Sequence, residues 1–361
     1  IISSSTYELV KDKFDSVKQM NVTFRDLGER RLKDVINPIR LYQIIFPGLR
    51  EDFPPLKTLD ARPNNLPAQL TSFIGREEVL QTVKNLFRQT PMLTLIGSGG
   101  SGKTRLAMQT AADIIDDYSN GVFITEIASV TDGALVVETV LNSLGVKEVS
   151  GCTSEETLIS YLKDKEILII LDNCEHLINE CANLAEMLLR NCAKMKIIAT
   201  SREALNCAGE QTYRVSSLTL PDASANITPE NIIQYESVCL FLERALSVNQ
   251  NFKITKENVL PLVKICKRLD GIPLAIELAA VRTKILSVEK IYDRLDDRFN
   301  LLTGGRRTSL PRQQTLKALI DWSYDLLPEK ERILWGRLSV FTDGWTLESA
   351  EEICSDEKIS Y

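Results

Sequence analysis

Short apolar runs alternate with amphipathic stretches along the middle of the chain. Five of these runs are typical of buried strands: MLTLI (92–96), GVFITEI (121–127), EILIILD (166–172), MKIIATS (195–201) and TYRVSSL (212–218). Between them, apolar residues three and four positions apart predict helices over 102–117, 134–144, 155–164 and 175–191. Strands that alternate with helices form parallel sheets with helices on both faces, so we predict an α/β domain over residues 71–218.

The pattern changes on either side of this domain. Residues 1–46 predict a strand, a short helix (STYELVKDKF, 5–14) and a β-hairpin, in which apolar and polar residues alternate around a turn-forming INP. Residues 47–70 contain five prolines and no periodicity, as is typical of a linker. A second linker, 218–228, precedes a region that is helical to the end of the chain. We divide this region into a helical domain, 229–304, and a further domain that starts at 305 and runs to 361.

One helix of the C-terminal region has a clear start. Pro273 suits a first helical turn, because its missing N–H would have no partner there. Leu274, Leu278, Val281 and Ile285 follow at helical spacing, and we expect them to line one apolar face.

A glycine-rich loop follows the first strand of the α/β domain. Residues 97–104 match the pattern GxxxxGK[ST] throughout, with a strand before and a helix after them. A flexible Gly/Ser turn is the alternative. The glycines allow backbone N–H groups to surround a phosphate, and the helix N-terminus adds a favourable field. Lys103 would reach the β- and γ-phosphates and Thr104 would hold Mg²⁺. The predicted phosphate-binding residues are Gly97, Gly99, Gly100, Ser101, Gly102, Lys103, Thr104 and Arg105.

Asp172 follows five apolar residues at the end of a predicted strand. With the phosphate-binding loop upstream, it is the expected second holder of Mg²⁺, although a strand-end Asp can also cap a helix. Asn173 stands next, where hydrolytic enzymes often carry an acid; an amide can position water but cannot accept its proton. Glu175 either substitutes for that acid or starts the following helix, and the sequence leaves both open. The amide of Asn173 therefore weakens the case for fast nucleotide hydrolysis.

Arg202 follows the next predicted strand, where it could reach a γ-phosphate or remain a solvated loop residue. We assign the catalytic roles to Lys103, Asp172 and Arg202. His176 is the single histidine of the chain, which counts against histidine-based triads and zinc sites. We expect it to have a polar packing role.

Composition narrows the class of protein further. A net charge of −6 and a pI near 5.2 argue against a broadly basic, nucleic-acid-binding surface. The apolar runs are too short to cross a membrane, and no signal-peptide pattern opens the chain. Eight cysteines without a CxxC pair predict reduced thiols in a cytoplasmic protein. Because the chain begins with Ile and ends in KISY, we expect it to be a fragment of a longer protein.

Five motifs in a fixed order resemble the NB-ARC-like group of the STAND signalling NTPases. They are FIGREE (73–78), GSGGSGKTR (97–105), LIILDNCEH (168–176), ATSRE (199–203) and GIPLAIELAA (271–280). The run RQQTLKALIDWSYDLLPEKERILWGRLSVF (312–341) resembles the start of the winged-helix domain that follows in this family. The resemblance covers about 70–361.

The resemblance implies ATP and ADP, with Mg²⁺, as the bound cofactors. It places Ile74, Gly75 and Arg76 near the adenine and ribose, and Pro273 over the nucleotide from the helical domain. Arg202 would act as the sensor arginine. In this family ADP holds a closed resting form, and exchange for ATP opens the protein for assembly, so the ATP-bound state would be a homo-oligomer. The family's winged-helix histidine motif has no counterpart in this chain.

Residues 1–46 resemble a different family, the C-terminal end of a class III adenylyl/guanylyl cyclase domain with its last helix and hairpin. An unrelated β-hairpin extension is the alternative. The metal-binding aspartates and the Asn/Arg pair of such cyclases would lie upstream of Ile1, so we expect no cyclase activity from this chain. The implied arrangement is a bacterial fusion of a cyclase with a STAND module, with sensor repeats downstream.

The sequence therefore favours a nucleotide-dependent signalling switch, in which exchange and slow hydrolysis control a fused cyclase or another partner. A steady-turnover ATPase is one alternative, and whether hydrolysis is significant stays open. A DNA-binding transcriptional regulator with an ATPase module is another, supported only by the basic run GGRRTSLPRQQTLK (304–317).

Overall fold

The computed structural model describes residues 1–16, 22–30, 38–46, 62–67, 71–221, 227–295, 327–341 and 345–356, with the single positions 32, 48, 302, 320 and 324. The chain divides into two compact units. The first comprises Ile1–Ser98 and Gly102–Ser216, and the second comprises Gly99–Ser101 and Ser217–Tyr361. Over the part of the chain that the structure describes, no helix is long and apolar enough to span a membrane.

The N-terminal part of the first unit is a small antiparallel sheet with one helix. Strand β1 (Ile2–Ser3) leads into helix α1 (Ser4–Ser16), and strands β2 (Thr23–Arg30) and β3 (Ile39–Ile45) form the hairpin. The strand order is β1-β3-β2. The ring of Tyr7 stacks on Tyr42 with centroids 4.0 Å apart, so the helix packs on the sheet through aromatic contact. The predicted strand, helix and hairpin are confirmed, whereas the cyclase resemblance remains a prediction.

A five-stranded parallel sheet forms the centre of the first unit, as the alternating pattern predicted. Its strands are β4 (Met92–Ile96), β5 (Val122–Glu126), β6 (Leu168–Asp172), β7 (Lys196–Ser201) and β8 (Glu210–Arg214), in the order β5-β6-β7-β4-β8. The last strand lies earlier in the chain than predicted. The apolar Val215 and Leu218 lengthened the predicted run, and both are buried beyond the end of the strand.

Helices cover both faces of this sheet. They are α2 (Glu77–Gln89), α3 (Lys103–Asp113), α4 (Val136–Ser143), α5 (Ser154–Leu162) and α6 (Ile178–Asn191). Alternate residues of one strand point to opposite faces, so Leu168 packs with Phe87 and Leu106 of α2 and α3. Ile169 faces the other way and packs with Leu158 and Leu184 of α5 and α6. The α/β fold with helices on both faces is therefore confirmed.

Residues 62–67, near the C-terminal end of the predicted linker, lie along the outer edge of β5. The Val122 amide donates to the Pro63 carbonyl at 3.0 Å. The Asn65 side chain accepts from the Ile124 amide (2.7 Å) and donates to the Ile124 carbonyl (2.8 Å). Leu66 is buried in the same core as the strand. The rest of 47–70, apart from position 48, lies outside the described residues.

The second unit is helical where it is described. It contains α7 (Glu236–Val248), α8 (Val259–Arg268), α9 (Pro273–Val281), α10 (Val288–Arg294), α11 (Glu329–Leu338) and α12 (Leu347–Cys354). Arg244 of α7 bonds Glu277 of α9 at 2.9 Å. Most of residues 310–327, in the region predicted to be helical, lie outside the described residues, and the winged-helix domain and the domain boundaries stay predictions.

Helix α9 starts where the sequence placed it, with Pro273 at its first position. The predicted apolar face is wrong, however. Val281 is 39% exposed and Ile285 is 80% exposed, whereas the buried side is formed by Ala275, Ile276, Leu278, Ala279 and Ala280. The α-helix ends at Val281 and a 3-10 turn (Arg282–Lys284) follows, so the helical spacing does not continue to Ile285.

Candidate nucleotide-binding site

The glycine-rich loop joins β4 to α3. Gly100 and Gly102 have φ angles of 75° and 89°, a region where only glycine avoids a steric cost. Gly102 is also the N-cap of α3, so the loop runs directly into the helix N-terminus. The first amides of a helix have no helical acceptor and favour an anion. The backbone of the loop thus has the form that phosphate binding requires.

Lys103 lies inside this loop. Its Nζ donates to the carbonyls of Gly97 (2.8 Å) and Ser98 (3.0 Å), and the residue is buried. The hydroxyl of Ser101 is also buried and, among the described residues, has no hydrogen-bond partner. A buried hydroxyl without a partner is costly unless a ligand satisfies it. The Ser101 hydroxyl thus fits a ligand that offers it a hydrogen-bond partner, such as a phosphate oxygen.

Asp172 ends strand β6 and receives two hydroxyl hydrogen bonds. Thr104 and Thr200 both donate to its Oδ1, at 2.7 Å and 2.6 Å. Burial raises the pKa of Asp172; the two hydroxyl groups oppose that rise, and the nearby charges of Glu175 and Glu126 add to it. The Asn173 amide donates to the Thr200 hydroxyl at 2.9 Å, which fixes the hydroxyl between both residues.

The donor set at Asp172 fits Mg²⁺. Thr104 supplies a hydroxyl oxygen and Asp172 a carboxylate oxygen, which are the hard ligands that this ion prefers. Among the residues that the structure describes, no group of three or more His, Cys, Asp and Glu side chains could hold a metal. Magnesium usually takes only one or two protein ligands and completes its shell with phosphate and water oxygens.

Glu175 lies in a 3-10 turn (Cys174–His176) and not in α6, which begins at Ile178. The turn follows Asn173, whose φ of 64° redirects the chain after β6. Glu175 Oε1 lies 3.6 Å from the Nε of Arg202 and 3.4 Å from the Nδ2 of Asn173. The Glu175 side chain is 4% exposed and that of Arg202 is 20% exposed. Arg202, the predicted sensor arginine, therefore forms an ion pair with Glu175.

Two other predicted contact residues bind backbone carbonyls of their own unit. Arg76 is buried, has a φ of 65° and donates to the Ser216 carbonyl at 2.7 Å. Arg105 donates to the carbonyls of Thr71 and Ser72. Their contact with a nucleotide stays a prediction.

The remaining predicted residues lie in separate parts of the chain. Ile74 and Gly75 are half-buried in the segment before α2. Pro273 begins α9 in the second unit. The roles of these three residues also stay predictions.

The side chains behind the site have packing roles. His176 Nε2 lies 2.9 Å from the Val130 carbonyl, in agreement with the expected polar packing role. All eight cysteines are free thiols, as predicted, and five of them are buried. A hydrogen bond with Cys181, together with burial, raises the pKa of Cys174, so this thiol stays protonated.

Sequence reasoning did not identify Thr200 as a site residue. Strands β6 and β7 are parallel neighbours with Leu171 opposite Ala199, and this register places Thr200 beside Asp172. The two residues are far apart in the chain, so only knowledge of which strands are adjacent could have paired them.

Comparison with known proteins shows the family of this chain. The model of the NB-ARC domain matches residues 76–225. The uncharacterized protein Rv0894 of Mycobacterium tuberculosis is 38% identical over 289 residues, which cover 80% of this chain and 70% of Rv0894. Rv0890c of the same organism, named as a candidate HTH-type transcriptional regulator, is 40% identical over 273 residues, which cover 76% of this chain and 29% of Rv0890c.

Among solved structures, one similar to this chain is PH0952 of Pyrococcus horikoshii, a STAND protein with a tetratricopeptide repeat sensor. The identity is 17% and the TM-score 0.37, over 77% of this chain and 36% of that one. A similarity of this size does not add to the family assignment, which rests on the sequence matches. The chain belongs to the same family as Rv0894 and contains an NB-ARC domain, an ATP-binding P-loop NTPase module.

Proposed function

We propose that this chain is an ATP/ADP-dependent signalling switch, in which nucleotide exchange and slow hydrolysis control a fused cyclase domain or another partner. The observation that carries the proposal is the residue after Asp172. Asn173 has an amide where a water-activating acid would stand, and its own N–H is bonded to Thr200. A site with phosphate-binding elements but no acid at this position favours long nucleotide retention over rapid turnover.

Each predicted site residue has a proposed role in binding. The loop amides and Lys103 bind the β- and γ-phosphates. Thr104 and Asp172 would hold Mg²⁺, which neutralises phosphate charge when it is bound. Arg202 contacts the γ-phosphate and so distinguishes ATP from ADP. Ile74, Gly75 and Arg76 contact the adenosine, Arg105 supports the loop, and Pro273 closes over the nucleotide.

The partners follow from the family resemblance. An upstream cyclase domain and downstream sensor repeats would belong to the full-length bacterial protein, which we place in the cytoplasm. Assembly into a homo-oligomer would accompany ATP binding. The match with Rv0890c supports a longer, multidomain parent protein, because it covers only 29% of Rv0890c and the similar region there lies within a much longer chain.

The nucleotide that co-purifies with the protein tests this proposal. We expect stoichiometric ADP, lost in Lys103→Ala because the ammonium that binds the phosphates is removed. Turnover at saturating ATP should stay well below the ~1 s⁻¹ at the lower end of typical enzymes. An empty site with turnover at or above about 1 s⁻¹ would instead identify a steady-turnover ATPase.

A DNA-binding regulator is the second candidate, favoured by the name of Rv0890c. The basic run 304–317 that would contact DNA lies outside the described residues. Phosphate contacts give an affinity that falls steeply with salt. Titration of duplex DNA at low and at physiological salt therefore tests this candidate, and no binding at low salt excludes it for this chain.

A further inference from the structure

The side chain of Glu175 is almost completely buried, although the residue lies in a 3-10 turn. Its side chain is 4% exposed, and its Oε2 has no hydrogen-bond partner among the described residues. Burying a carboxylate is costly unless a cation or several hydrogen bonds compensate. The cation that lies beside it is Arg202, which the proposed function assigns to the γ-phosphate.

The contact between the two side chains is loose. The Arg202 Nε and Glu175 Oε1 are 3.6 Å apart, and the Asn173 Nδ2 is 3.4 Å from the same oxygen. Charge-assisted hydrogen bonds between such groups are normally about 2.7–2.9 Å long. The contact between Glu175 and Arg202 therefore acts mainly through charge, because at 3.6 Å it is longer than a tight, directional ion pair.

A terminal phosphate offers Arg202 a stronger partner than Glu175. It carries more negative charge than one carboxylate and several acceptor oxygens, which match the forked donors of a guanidinium. ATP has this γ-phosphate and ADP lacks it. Whatever free energy the Glu175–Arg202 contact provides must therefore be given up when ATP binds and is retained when ADP binds.

We propose that Glu175 competes with the γ-phosphate for Arg202 and so shifts the preference of the site from ATP toward ADP. Glu175 is a positioning residue here, because it acts on the nucleotide through Arg202. The inference rests on the proposed function, in which Arg202 contacts the γ-phosphate. It provides a reason, within the first unit, for an ADP-bound resting state.

Equilibrium binding of a non-hydrolysable ATP analogue and of ADP, each with Mg²⁺, tests this role. Glu175→Gln removes the charge but keeps the shape, so we expect the analogue to bind about three- to tenfold tighter, as for loss of a modest ion pair. The affinity for ADP should stay within about twofold. A general effect of removing negative charge would tighten both nucleotides equally, and that result would overturn the proposal, as would unchanged affinity for the analogue.

Two further variants keep the test independent of folding defects. Glu180→Gln removes the same charge from an exposed position in the first turn of α6, and it should change neither affinity. Glu175→Asp keeps the charge but withdraws it from Arg202 by one methylene, and it should tighten only the analogue, by less than Glu175→Gln. An equal shift of both nucleotides in Glu175→Asp would also contradict the competition.

A double-mutant cycle with Arg202→Gln separates this inference from the proposed function. Because Glu175 acts through Arg202, Glu175→Gln should have no effect on analogue binding in the Arg202→Gln background. An effect that persists there overturns the inference. The proposed function itself fails if the unmodified protein binds neither nucleotide. It also fails if the Lys103→Ala variant binds both nucleotides as tightly as the unmodified protein does. Nucleotide binding that depends on Lys103 but ignores Glu175 rejects the inference alone.

Discussion

Asp172 and Glu175 are two carboxylates at the end of the same strand, yet they are held in different ways. Asp172 Oδ1 accepts two hydroxyl hydrogen bonds of 2.6 Å and 2.7 Å, from Thr200 and Thr104. Glu175 has contacts of 3.6 Å with Arg202 and 3.4 Å with Asn173. The first set has the length of strong hydrogen bonds, whereas the second set does not.

The backbone explains this difference. Asp172 is the last residue of β6, a strand paired with neighbours on both sides, so its position is fixed by the sheet. Glu175 lies in a 3-10 turn after a residue with positive φ, outside the strand itself. The fixed carboxylate suits the constant task of holding a metal ion, and the loosely held one suits a task that differs between ATP and ADP.

The largest effect is expected from Asp172→Asn, which removes the charge of the fixed carboxylate. The affinity for ATP with Mg²⁺ should fall about 100-fold, as for loss of a metal-binding group. Burial raises the pKa of Asp172, so its ionised form lowers the stability of the folded protein at neutral pH. The melting temperature without nucleotide should therefore not fall. Asp116→Asn, at an exposed site of the same unit, is the control and should leave both unchanged.

An intermediate effect is expected from Asn173→Asp, which places an acid next to the fixed carboxylate. Aspartate tolerates the positive φ of this position, so the turn should be kept. Because a carboxylate can accept the proton of water and an amide cannot, turnover at saturating ATP should rise about tenfold or more. Phosphate release under multiple-turnover conditions measures it. Unchanged turnover would show that the amide is not what limits hydrolysis.

The smallest effect is expected from Thr200→Val, which removes one hydroxyl of the fixed set and keeps the side-chain shape. The free energy of unfolding should fall by about 1 kcal/mol, because Asp172 and the Asn173 amide each lose a partner. Thr94→Val is the matched control: its hydroxyl is buried and has no partner among the described residues, so the change should not destabilise. Denaturant titration compares them, and equal losses would contradict the assignment.

The features that local sequence could predict are those that depend on short patterns. The phosphate-binding loop, the strand ending in Asp172 and the alternation of strands and helices all follow from neighbouring residues. The role of Thr200 could be predicted only from the order of strands in the sheet, which places β7 between β6 and β4. No short segment of sequence specifies that order.

Two other features depended on the backbone. The positive φ of Asn173 places Glu175 beside Arg202, and periodicity alone extended α6 over this turn. Helix α9 is apolar on nearly every side, so helical spacing could not select its buried face, and Ala275 and Ala279 are buried in place of Val281 and Ile285. Small residues allow close packing that a count of large apolar side chains does not anticipate.

The segment 62–67 has a practical consequence for how this protein can be divided. Strand β5 is an edge of the five-stranded sheet, and an uncovered edge strand readily pairs with another chain. Pro63 and Asn65 occupy its outward-facing hydrogen-bonding groups, at Val122 and Ile124. A fragment cut at the predicted boundary of 71 would expose those groups and lose buried Leu66, so we expect it to aggregate, whereas a cut before residue 62 should give a monodisperse domain.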